Sequence, residues 1–122
     1  MRPRRVGSSA SGFSLRGARI MITRQIGRLI ECLESARSRP AMYFGAVDVE
    51  AAMHFLNGVG LAVKALLGDN IEIRRQVLIT RGWDANAMHP SQQMIDRGLT
   101  PADAVDEMLV IEIETIRWLV GD

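Results

Sequence analysis

The residues whose types could do chemistry in this chain are few: Cys32, Tyr43, His54, His89 and Glu112. A nucleophile needs a base beside it, a proton donor needs a tuned environment, and a metal needs several ligands at set spacings. No local spacing joins any two of the five into such a set. There is no H-E-x-x-H, no glycine-rich phosphate loop after a strand, no nucleophile elbow and no zinc set. The sequence therefore names no catalytic, cofactor-binding or metal residue and leans away from an enzyme. One anomaly remains. Glu112 falls in the middle of an apolar helix face, where a carboxylate must be paired, hydrogen-bonded, protonated or left at an interface edge. The partner is open among an arginine, the Trp83 indole and a backbone amide. The alternative is a functional acid, which would make the chain a small enzyme with its site near Glu112.

The elements that would position these groups read as helices. Ile22, Ile26, Leu29, Leu33 and Ala36 recur at spacings of three and four from a Thr23 cap to a stop before Pro40, with Cys32 at the margin of the stripe as a packed residue. Asp48 caps a second helix ending at Gly68, and Gly58 and Gly60 inside it suggest a notch for another backbone. The stretch from Asn70 to Thr80 is strand-prone in composition, but its flanks, Asp69-Asn70 and Gly82, favour a helix. A loop follows from Trp83 to Pro90, then a short helix over 91–97 closed by Gly98. Thr100, Pro101 and Asp103 open a last helix reaching Val120. The expected fold is all-α, a bundle of four to five helices over residues 21–122.

Between the first two helices stands R-S-R-P-A-M-Y-F-G, Arg37 to Gly45. It resembles the R-x-R-P-G-M-Y-x-G segment near the start of the ATPase domain of DNA gyrase and its relatives, and the opening of various small bacterial proteins. Ala41 stands where that segment has glycine, and nothing downstream resembles the family's nucleotide-holding motifs, so ATP binding is not carried over. The resemblance implies a helix ending at proline and a turn whose Met42, Tyr43 and Phe44 wedge between helices.

Hydrophobic residues make up 48% of the 122 and charged residues 24%, the balance of one ordinary globular domain. A lone cysteine excludes an internal disulfide, and no apolar run approaches the roughly 18 residues of a membrane span. A cytoplasmic location without membrane contact is the expectation. Residues 1–20 hold Arg2, Arg4, Arg5, Arg16 and Arg19 and no acid, a charge of +5, while ten basic and fourteen acidic residues leave the rest at −4. That segment reads as a disordered basic tail, dispensable because Met21 directly precedes the first helix. As an arm for nucleic acid it is the only part of the chain with suitable charge, since the last helix opens on Asp103, Asp106 and Glu107.

What remains is a protein-interaction or regulatory role. Leu61 interrupts a polar helix stripe, and Ile111, Ile113, Trp118 and Val120 widen the apolar side of the last helix beyond one stripe. The interaction candidates are thus Leu61, Trp83, Glu112 and Trp118. The expected partner is a larger protein that this one regulates, or a second copy in a homodimer, with no cofactor.

Overall fold

Local capping chemistry accounts for most of the helix boundaries. The computed structural model describes the backbone of residues 4–45, 47–86 and 90–121, with side chains over the same ranges apart from 4–16 and 19. It contains α1 (Arg4–Ser38), α2 (Pro40–Phe44), α3 (Val49–Leu67), α4 (Ile71–Thr80), α5 (Pro90–Asp96) and α6 (Pro101–Val120), with no strand among the described residues. Asp48 accepts from the Ala51 N–H at 2.7 Å and starts α3. Thr100 accepts from the Asp103 N–H at 3.1 Å and starts α6. After α4, Gly82 takes φ 89°, and paired bonds from Gly82 N to Ile79 O and Trp83 N to Leu78 O close the helix as a Schellman motif. The same pair recurs at Gly98. These left-handed positions suit glycine because any Cβ there is strained.

The fold class is the expected all-α bundle, with one helix more. The sixth is α2, a single turn in the R-x-R-P segment, where a plain turn was expected. Only Phe44 of its three large residues wedges inward, edge-on to Phe55 at 4.9 Å, whereas Met42 and Tyr43 are exposed. One turn is too short to bury all three sides.

The first helix also differs from expectation. It runs back to Arg4, across the segment read as a disordered tail, and Thr23 lies within it rather than at its cap. No proline interrupts residues 4–38, and once packing has nucleated a helix each further residue adds a hydrogen bond. Among the described side chains, the first packed against the core is Ile22; Ile20 and Met21 are exposed.

The core sits around α6, which packs on α1, α3, α4 and α5. Leu109 and Ile116 of α6, Leu33 of α1 and Met94 of α5 have no exposed surface, and each such side chain contributes about 1.5–3 kcal/mol by burial. This arrangement explains most of the width of α6's apolar face: four helices of its own chain bury Ile111 and Ile113, while Trp118 stays exposed. Arg37, the first arginine of the R-x-R pair, fastens α1 to α6 by bonding both carboxylate oxygens of Asp106 at 2.8 and 3.2 Å.

Candidate functional site

An open groove of about 310 Å³ lies between α3, α4 and α6. On α3 it is lined by Met53, Leu56, Asn57, Gly60 and Lys64, a row at the three-and-four spacing that puts residues on one helix side. On α4, Ile71, Arg74 and Leu78 face it at the same spacing, and α6 supplies Met108, Ile111 and Glu112. The floor is mostly apolar. Gly60 does not receive a neighbouring backbone, as the sequence reading expected; a Cβ built there or at Gly58 meets nothing within 4 Å. The missing side chain at Gly60 leaves the groove open.

Glu112 is 2% exposed, and its partner is Arg74. The guanidinium donates from Nη1 to Oε1 at 2.7 Å and from Nη2 to Oε2 at 3.2 Å, the bidentate geometry for which Arg is suited. Both carboxylate oxygens are thereby occupied. Neither His54, exposed on α3, nor Tyr43 lines the groove, and His89 lies outside the described residues. Tyr43 instead borders a separate cleft with Ser35, Ser38, Arg39 and Met42.

The Trp83 indole serves a different acid. Its Nε1 donates to Glu107 Oε2 at 2.9 Å, and Arg97 lies over the ring at 4.6 Å. Arg81 grips the same carboxylate at 2.7 and 2.8 Å and reaches Glu114 at 2.9 Å. The Arg81 hydrogen bonds, helped by the indole, hold the Glu107 carboxyl below the usual carboxylate range. Trp83 is therefore buried at a joint between the α4 end and α6. Its burial is set by the Gly82 turn, which swings it back over Leu78.

The remaining expectations divide. Leu61 is 70% and Trp118 66% exposed, on α3 and near the end of α6. Neither lines the groove, though Leu61 is a turn away from Asn57 and Lys64, which do. Cys32, expected to be packed, is exposed because its position turns just outside the stripe of Leu29 and Leu33. The side chains of Arg4, Arg5, Arg16 and Arg19, and all of Arg2, lie outside the described residues. Among the described residues no cluster could hold a metal ion, and no helix is long and apolar enough to cross a membrane.

Arg74 and Ile71 were missed from the sequence, and Gly60 was read as a notch for another backbone. A signal existed for the first: Arg74 shares a stripe with Ile71 and Leu78, so two opposite charges, Arg74 and Glu112, each interrupt an apolar face. No protein-family model matches the chain, and no match was found among curated proteins or solved structures.

Proposed function

We propose that the protein works by binding another protein, and that the groove between α3, α4 and α6 receives it. The observation that carries this reading is Ile71. It stands in the groove wall 62% exposed, above an apolar floor whose acid is neutralised by Arg74. A large aliphatic side chain left in water beside a concave apolar surface gains free energy when a partner covers both. Met53 and Met108 in the floor add side chains that adapt to an incoming shape. Leu61 extends the apolar rim on the α3 side. A catalytic reading lacks convergent groups here, since the carboxylate is held and neither described candidate, His54 or Tyr43, faces it.

The test is capture of partners by the tagged full chain, compared with Ile71→Asp and Leu61→Asp, with sedimentation to register self-association. Both changes fall on exposed positions and leave the fold intact. The expected result is a partner, or a second copy, retained by the wild type and lost with Ile71→Asp. A chain that stays single and retains nothing sensitive to Ile71 overturns the reading.

A further inference from the structure

Resting on the reading of the groove as a protein-binding site, we infer that the segment it receives is an apolar one carrying a carboxylate, seated on Lys64 and Arg74. Of the two acids lining the groove, one is fully engaged and the other has one oxygen bonded. Glu112 gives both oxygens to Arg74, and Asp69 accepts from the Ile71 N–H at 3.0 Å, doing the capping that the Asn70 side chain leaves undone. The donors are not exhausted. Lys64 has no partner among the described residues. Arg74 spends two of its N–H groups on Glu112 out of the five a guanidinium offers. Asn70 Nδ2 is shielded from water and has no acceptor. An occupant that fits therefore brings acceptors for these donors and apolar surface for Leu56, Leu78 and Ile111.

A carboxylate is the acceptor that answers both the unpaired charge of Lys64 and the remaining N–H donors of Arg74. Lys64 supplies a point charge, and the outer N–H groups of Arg74 supply directed donors. The domain as a whole is negative, with ten basic against fourteen acidic residues from position 21 onward, so no long-range field draws an acidic segment in. The attraction has to come from these two side chains at short range, where salt screens it less. The volume, about 310 Å³, is at the low end of sites that enclose organic ligands and suits a short segment.

The probes are N-acetyl-leucyl-leucine, which ends in a carboxylate, its C-terminal amide, and octanoate, each titrated into isotope-labelled full chain while backbone amide shifts are followed. The expected result is shifts centred on Gly60, Ile71 and Arg74, with the acid binding about tenfold more tightly than the amide, as for one charge-assisted hydrogen bond. Lys64→Gln should remove most of that difference and leave the amide's affinity unchanged. Gly60→Leu, whose side chain enters open space, should abolish binding of both. Equal binding of acid and amide, equal weakening of both by Lys64→Gln, or full binding to Gly60→Leu each overturns the inference. Octanoate binding as tightly as the dipeptide acid assigns the groove to a small carboxylate and overturns the peptide assignment. Ile71-dependent capture of a partner without dipeptide binding sinks the carboxylate inference and leaves the protein-binding reading standing. Dipeptide binding without such capture does the reverse.

Discussion

Breaking the Arg74–Glu112 pair should cost much more from one side than from the other. The two side chains are unequally placed, at 31% exposure for Arg74 and 3% for Glu112. Arg74→Met leaves a carboxylate that is 3% exposed without its bonded cation, and stranding a buried member of an ion pair costs about 3–5 kcal/mol. Glu112→Leu leaves the cation instead, and Arg74 stands at the mouth of the groove. Its guanidinium can turn outward into water while its methylenes stay packed, so the loss is about 1–2 kcal/mol, the order of the charged hydrogen bonds given up. For a domain near 100 residues, one kcal/mol moves Tm by roughly 4 °C, which separates the variants by roughly 4–16 °C. The double variant, with no charge left to strand, should recover most of what Arg74→Met loses. Urea unfolding followed by the helical circular dichroism signal measures all three. Equal costs, or a larger cost for Glu112→Leu, would refute the reasoning, because they would mean that the carboxylate has another source of solvation.

Other expectations follow from single positions. Gly58→Ala and Gly60→Ala should each stabilise α3 by about 0.5–1 kcal/mol, since both are helix-interior and a Cβ meets nothing; a drop in Tm would contradict the open space seen there. Removing residues 1–20 should leave Tm within about 2 °C, because Ile22 is the first described side chain packed against the core, and loss of salt-sensitive nucleic-acid binding on the same truncation would identify the basic segment as an arm. Glu107 has a carboxyl pKa lowered in the fold by Arg81 and Trp83, so its contribution is fully present above the unfolded carboxylate value and is lost as pH falls through the lower folded one. Melting curves of Glu107→Gln and wild type should therefore differ most near neutral pH and converge below about pH 4, and a constant difference would argue against the paired carboxylate.

The helices were readable from the chain because their signals are local. A cap bonds an N–H three residues on, as Asp48 and Thr100 do, and a C-terminal glycine acts within one turn, as Gly82 and Gly98 do. Even the strand-prone 71–79 stretch followed its flanks into α4. Such interactions depend on neighbours in sequence and need no knowledge of packing. Periodicity likewise placed Ile26, Leu33, Val105 and Leu109 in the core. What surrounds each element was decided elsewhere. That Glu112 meets Arg74, 38 positions away, and that Trp83 meets Glu107, 24 positions away, depends on how α4 lies across α6. The sequence carried both charges on apolar faces but not their meeting. The width of α6's apolar face was visible, yet only tertiary packing showed that its own helices cover Ile111 and Ile113 and leave Trp118 exposed. Gly60 shows the same division most sharply: an isolated helical glycine reads equally as a close contact or an opening, and the distance to the next element, which no local interaction sets, makes it the open side of a groove.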